Sequence, residues 1–126
     1  MAAAKRVEVR AAANFLANLE DLGEFLLRVD PEAAPQLHRR LKAEIAAEML
    51  DLLENHPGIG RPARFLKARS IQGRERSARA AKVAHSLSLK ELREYVLKDH
   101  LVLYACSDTA VILLAVRHQR QLEYQL

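Results

Sequence analysis

The chain begins with alternating apolar and charged residues and then changes to a helical spacing of apolar residues. Residues 5–11 alternate with a period of two, which predicts a half-buried strand. Apolar residues then recur three and four positions apart within residues 15–29 and again within residues 37–52, so each set lines one face of a helix. We expect the first helix to run to about Arg28 and the second to end before Pro57. Two such helices joined by a short turn form an antiparallel helical hairpin.

The period of two returns in the C-terminal third of the chain. Residues 92–97 and 101–105 are predicted strands on either side of a turn at residues 98–100. A second turn, at residues 107–109, precedes the near-continuous apolar run 111–116, which predicts an interior strand. The order is therefore strand, helix, helix and a three-strand antiparallel meander. This order predicts an α+β fold in which the helical hairpin packs on one face of a small twisted sheet.

Length and hydropathy limit the class of protein. A chain of 126 residues is expected to form a single domain spanning residues 1–126. No stretch of 18 or more residues lacks a charge, and the first ten residues lack the apolar segment of a secretory signal. We therefore expect a cytoplasmic protein without a membrane segment.

The chain is basic, and much of its positive charge lies between the helical hairpin and the meander. Its 20 Lys and Arg against 16 Asp and Glu give a net charge of +4, which suits an anionic partner such as nucleic acid or an acidic protein. Between Gly60 and Leu87, eight cations stand against one acidic residue, Glu75. This connection is compatible with helix or with a long solvated loop. Its one aromatic residue, Phe65, makes it a poor surface for stacking bases.

The sequence offers little metal, cofactor or nucleophile chemistry. The five histidines lie far apart, and none has a partner at the spacing of a metal site. The single cysteine, Cys106, has no neighbouring cysteine and is expected to be a buried strand thiol. There is no GxSxG motif, P-loop or dinucleotide fingerprint. We therefore expect neither a metal site nor a cofactor.

Cations and a tyrosine occur at the end of the predicted meander. Arg93 lies in its first strand, and Arg117, His118, Arg120 and Tyr124 follow its last strand. Because antiparallel strands bring residues from different strands onto one surface, Arg93 can face the residues after the last strand and form a cationic patch. Such a patch can bind phosphate or carboxylate, or supply the acid and base for phosphodiester cleavage. The alternative is that these polar residues only keep the strand end soluble.

Four short motifs follow one another along the chain. They are HPGIGRP at residues 56–62, LRE at 92–94, VLY at 102–104 and VRHQR at 116–120. Together with the preceding strand and helical hairpin, they resemble the RelE/ParE superfamily of toxins from bacterial type II toxin–antitoxin modules. The resemblance covers nearly the whole chain. The chain departs from the pattern in a long basic insertion at about residues 66–87, where many relatives have a much shorter connection.

The resemblance implies two alternative activities. ParE-like members are not catalysts and inhibit growth by poisoning DNA gyrase through a protein–protein contact. RelE-like members are endoribonucleases that cut mRNA in the ribosomal A site. The residues that match a nuclease site are Arg93, His118, Arg120 and Tyr124. Because few other cations and no evident general base stand on the strands, we favour the ParE-like activity. The residues then expected to bind the target are Arg61, Arg93, Arg117, His118 and Arg120. An inactive family member is the third alternative.

Either activity implies an antitoxin, commonly encoded beside the toxin, that wraps it with an extended or helical segment. The basic chain suits an acidic antitoxin segment that crosses the helical hairpin and the sheet edge. The resemblance also implies a role in plasmid stabilisation. We expect no sequence-specific DNA binding by the toxin alone.

Overall fold

A computed structural model of the chain describes residues 6–63, 82, 89, 91–121, 124 and 126. The five strands among these residues form one sheet in the order β1-β5-β4-β3-β2. They are β1 (Glu8–Ala11), β2 (Arg61–Pro62), β3 (Glu91–Val96), β4 (His100–Cys106) and β5 (Ala110–His118). The pairs β2–β3, β3–β4 and β4–β5 are antiparallel, and β1 runs parallel to β5. The predicted α+β fold and its meander are confirmed. Apart from Lys82, the predicted basic insertion at residues 66–87 lies outside the described residues.

The helical hairpin consists of α1 (Ala13–Val29) and a second arm that contains α2 (Ala34–Glu44), a π-helical turn (Ile45–Met49) and α3 (Leu50–Asn55). The apolar residues of the second arm are spaced four apart, and all four of Leu41, Ile45, Met49 and Leu53 are buried. In an α-helix, residues four apart drift about 40° around the axis at each step, because the helix turns once in 3.6 residues. The wider π turn offsets this drift. It therefore keeps all four side chains against the sheet.

The sheet has an apolar core on each face. The helix-side face packs against the hairpin, and its buried residues include Tyr95, Val102, Tyr104, Val111 and Leu113. The opposite face, which we call the outer face, includes Leu92, Leu103, Ala105, Leu114 and Tyr124. Because both faces are covered, every residue of β4 is buried. Within the described residues, no helix is long and apolar enough to cross a membrane.

One irregularity in β5 sets the direction of the side chains that follow it. Leu103 pairs with Ala115 whereas Tyr104 pairs with Leu113, so Leu114 is an extra residue and forms a β-bulge. A bulge shifts the alternation of side chains by one residue. Leu113 before the bulge and Val116 after it accordingly both lie on the helix-side face, although three positions separate them.

The bulge determines which faces the polar end of β5 reaches. The strand continues to His118 and is therefore longer than the predicted run 111–116. Within it, Arg117 points to the outer face and His118 to the helix-side face. These two residues belong to the sheet, whereas the sequence pattern placed them after its last strand.

The glycine-containing turn before β2 is held by side chains of the sheet. The Tyr104 hydroxyl donates to the Pro57 carbonyl at 2.8 Å and accepts from the Gly60 N–H at 2.9 Å. Arg93 Nη1 donates to the Gly60 carbonyl at 2.6 Å. A Cβ at Gly60 would lie 2.5 Å from the Glu94 carbonyl oxygen, so a side chain at position 60 does not fit. The turn leads directly into β2, a short edge strand that the sequence analysis missed.

Candidate functional site

Arg93, predicted to bind the target, makes hydrogen bonds within its own fold. Its Nε donates to Glu91 Oε2 at 2.7 Å, and its Nη1 donates to the Gly60 carbonyl. The hydrogen bond to Glu91 raises the pKa of Arg93 above its ordinary value. The side chain is 23% exposed. Arg93 therefore fixes the turn before β2, with only part of its guanidinium open to solvent.

His118 lies at the other end of the helix-side face. Its ring centroid is 5.4 Å from that of Phe25 and 4.8 Å from that of His100. Its Nδ1 accepts the backbone N–H of Arg120 at 3.1 Å. Burial lowers the pKa of His118 and so favours the neutral ring. Arg120 is exposed on the turn that follows β5.

Two other predicted residues, Arg61 and Arg117, lie on the outer face around a buried carboxylate. Arg61 Nε is 3.5 Å from Glu94 Oε1, and the Tyr124 hydroxyl donates to Glu94 Oε2 at 2.5 Å. The guanidinium carbon of Arg117 lies 5.2 Å from the centroid of the Tyr124 ring, within cation–π distance. Glu94 is 2% exposed and Tyr124 is 5% exposed. We call these four residues the Glu94 cluster.

The polar groups of the Glu94 cluster bind within the fold and have a structural role. Burial, and then the hydrogen bond to Glu94, raise the pKa of Tyr124 far above its ordinary value. Arg117 Nη1 also donates to the Gln121 carbonyl, so the same guanidinium holds the turn after β5. Among the described residues, the Nε atoms of Arg61 and Arg117 are buried without a hydrogen-bond partner. The Tyr124 hydroxyl is thus a donor to a carboxylate and does not face an open surface.

The single cationic patch proposed from the sequence is not assembled in this fold. On β4, Arg93 pairs with Tyr104 and His118 pairs with His100. These two positions of β4 are four residues apart. This separation is about 13 Å along the strand, and the two residues are also two strands apart. On the opposite face, Arg61 and Tyr124 both contact Glu94, and Arg117 lies over the Tyr124 ring. The four residues that match a nuclease site therefore do not share a surface.

Two buried polar residues were not identified from the sequence. Glu94 lies two residues after Leu92 in β3, so both side chains point to the same face of the sheet. This alternation was the signal in the sequence that Glu94 points into the outer face. His100 was assigned to a turn, but it is the first residue of β4 and is 6% exposed. Within the part of the chain that the structure describes, no three His, Cys, Asp or Glu side chains are placed to hold a metal ion.

The surroundings of His100 disfavour the protonated form of its imidazole. Its Nε2 is buried and has no hydrogen-bond partner among the described residues. Burial, with a smaller contribution from His118, lowers the pKa of His100 to about 4, while the carboxylate of Asp99 opposes the shift. The unfolded chain, whose histidines have pKa values near 6.5, consequently binds more protons than the folded chain between about pH 6.5 and pH 4.

We predict that His100 makes the fold sensitive to acid. The contribution of His100 to the free energy of unfolding is constant above about pH 6.5. As the pH falls to about 4, the free energy of unfolding decreases by about 2–3 kcal/mol, because one pKa unit corresponds to about 1.4 kcal/mol. Urea unfolding at pH 7.5 and pH 4 should show a smaller loss of stability for His100→Gln than for the parent. The exposed His56 provides the control, since His56→Gln should retain the parental pH dependence. Parallel pH profiles for the parent and His100→Gln would contradict the prediction.

Comparisons with known proteins bear on the family of this chain. Residues 9–123 match the family model of the ParE toxin of the type II toxin–antitoxin system parDE. A comparison with curated proteins finds no match. Among solved structures, the chain is similar to a chain of the toxin–antitoxin complex RelBE2 from Mycobacterium tuberculosis, at 18% sequence identity and a TM-score of 0.46. The similarity covers 92% of this chain and 94% of that chain. Because the family model spans nearly the whole sequence, the predicted RelE/ParE relationship is confirmed, and the chain belongs to the ParE family of type II toxins.

Proposed function

We propose that this toxin inhibits bacterial growth by poisoning DNA gyrase through a protein–protein contact, and that a cognate antitoxin neutralises it. The observation that most directly supports the target is the Tyr124 hydroxyl, which donates to the buried Glu94. A ribonuclease of this fold would need that hydroxyl on a surface shared with Arg93 and His118. The match to a ParE family model supports the same choice.

The positions of the nuclease candidates argue against phosphodiester cleavage. A general acid or base must come within about 3 Å of the proton it transfers, and the charge that develops on the phosphate must meet fixed donors. His118 is packed against the rings of Phe25 and His100 on the helix-side face. Tyr124 is buried on the other face of the sheet. These two side chains cannot reach one phosphate without a rearrangement of the fold.

A protein contact has a suitable surface at the β2–β3 edge. Ile59 and Val96 are exposed by 48% and 51%, and each lies two residues from the Arg61–Glu94 pair. The Arg61 side chain is 33% exposed beside them. The buried centre of a protein interface is more apolar than the rest of the surface and is enriched in arginine, and this edge offers both features. We therefore propose this edge, with Arg120 on the turn after β5, as the gyrase contact.

We predict that the purified toxin traps gyrase on cleaved DNA and that Ile59→Asp weakens this trapping by about 10-fold or more, because it places a charge in an apolar contact. Gyrase-dependent cleavage of supercoiled plasmid measures the effect. Leu16→Asp is the matched control, since Leu16 is exposed by 52% on α1, and it should leave trapping unchanged.

In cells, the same mechanism predicts DNA breaks and a DNA-damage response on induction. Mapping the 5′ ends of mRNA tests the alternative activity, cleavage of mRNA on the ribosome. Codon-phased ends that disappear in His118→Ala or Tyr124→Phe would identify a ribosome-dependent nuclease and overturn the proposed target.

The proposed antitoxin contact includes a groove between α1 and the start of α2. The groove encloses about 380 Å³, and its wall on α1 carries Glu20, Asp21 and Glu24. Leu27, which is 50% exposed, adds an apolar position. Although the whole chain is basic, this surface is acidic. We therefore propose that the antitoxin segment crossing the hairpin carries Lys or Arg beside apolar residues, in place of the acidic segment expected from the net charge.

We predict that reversing the charge of this groove weakens the antitoxin complex. Asp21→Lys with Glu24→Lys should raise the dissociation constant by about 10–100-fold, because cations in the antitoxin would then face cations. Calorimetry with the purified protein encoded beside the toxin measures this affinity. Glu48→Lys changes an exposed carboxylate on the π-helical turn, outside the groove lining, and should have little effect. Equal affinities for the double variant and the parent would contradict the proposed contact.

A further inference from the structure

The C-terminal end of the chain is fixed to the sheet at Tyr124. The tyrosine ring belongs to the apolar core of the outer face, with Leu103 and Leu114. Its hydroxyl donates to Glu94, and the guanidinium of Arg117 lies over its ring. Three different interactions therefore converge on one side chain near the end of the chain.

The same contacts reach the exposed turn that carries Arg120. Arg117 Nη1 donates to the Gln121 carbonyl, and the His118 N–H donates to Gln121 Oε1 at 2.9 Å. The turn is thus closed by Arg117, whose guanidinium rests on the Tyr124 ring. Loss of the Tyr124 contact would remove the support on which this arginine lies.

Glu94 connects this end of the chain to the edge of the sheet. Its Oε2 accepts from Tyr124, and its Oε1 faces Arg61 on β2. At 2% exposure, the carboxylate is too deeply buried to touch a protein target itself. A buried ion pair is also a weak source of net stability, because apolar residues of similar volume often stabilise a core as well or better. An effect of Glu94 on the target must therefore act through the residues that it holds.

We propose that Glu94 and Tyr124 are positioning residues, which hold Arg61 on β2 and the Arg120 turn after β5 in a fixed arrangement for contact with the target. The inference rests on the proposed function in that both arginines are assigned to the target contact. It adds that two buried residues, neither able to touch the target, control the strength of that contact. The raised pKa of Tyr124 agrees with a hydroxyl that remains protonated and bound to Glu94.

The test compares Tyr124→Phe with Tyr95→Phe. Both remove one hydroxyl from a buried tyrosine, but Tyr95 lies on the helix-side face, away from the Glu94 cluster. Hydrogen–deuterium exchange of residues 117–121 measures how often the turn opens. Loss of a hydrogen bond to a charged group should accelerate this exchange by about 10–100-fold in Tyr124→Phe, with the rest of the sheet still protected. Tyr95→Phe should exchange like the parent.

Potency is measured on the same proteins, both by growth arrest on induction and by gyrase trapping. Tyr124→Phe should be several-fold less potent than Tyr95→Phe. Glu94→Gln should be less potent too, and the double variant should lose less than the sum of the two single losses, because the residues act as one unit. Faster exchange at residues 117–121 without a loss of potency would overturn the positioning role. Unchanged exchange in Tyr124→Phe would overturn the attachment itself.

These outcomes separate the inference from the proposed target. If Tyr124→Phe weakens growth arrest and accelerates exchange at residues 117–121, while the parent neither traps gyrase nor produces codon-phased mRNA ends, the positioning role stands and the gyrase assignment fails. If the parent traps gyrase but all variants match it in potency, the gyrase assignment stands and the positioning role fails. A parent that neither arrests growth nor traps gyrase would contradict both.

Discussion

A carboxylate at 2% exposure is stable only when ions and hydrogen-bond donors compensate for the water that it has lost. Glu94 meets this requirement with partners from distant parts of the chain. Arg61 approaches it from the edge strand, and Tyr124 donates to it from the C-terminal end. The outer face of the sheet, the short strand β2 and the end of the chain consequently depend on one another. Removal of any partner would leave a buried charge or a buried donor unsatisfied.

The bulge at Leu114 explains why the C-terminal cations divide between two environments. Without the extra residue, the alternation of β5 would place Arg117 under the helical hairpin and His118 on the outer face. With it, His118 packs against Phe25 and His100, and Arg117 covers Tyr124. A difference of one residue in register therefore separates the candidates for acid–base chemistry and brings two arginines together around Glu94.

The sequence was informative where a pattern repeats and uninformative where one residue breaks it. Period-two and helical spacings predicted the meander and the hairpin, because each buries a continuous apolar face. The bulge has no such signature, since Leu113 and Leu114 are both apolar and either could face the core. The two-residue strand β2 is too short to show a period. Arg93 and Arg117 looked like surface cations because their partners Gly60 and Tyr124 are brought beside them only by folding.

The Tyr124 hydroxyl donates to the buried Glu94, and we propose that it is therefore not available for chemistry on RNA. The most direct test of this proposal is the alkaline titration of the three tyrosines, followed by NMR of tyrosine labelled with ¹³C at Cζ and assigned with Tyr→Phe variants. In the folded protein, Tyr124 should stay protonated as the pH passes about 10, where an exposed tyrosine ionises, because burial and the hydrogen bond to Glu94 raise its pKa. Ionisation of Tyr124 at or below about pH 10, while the sheet remains folded, would show an accessible hydroxyl and contradict the account.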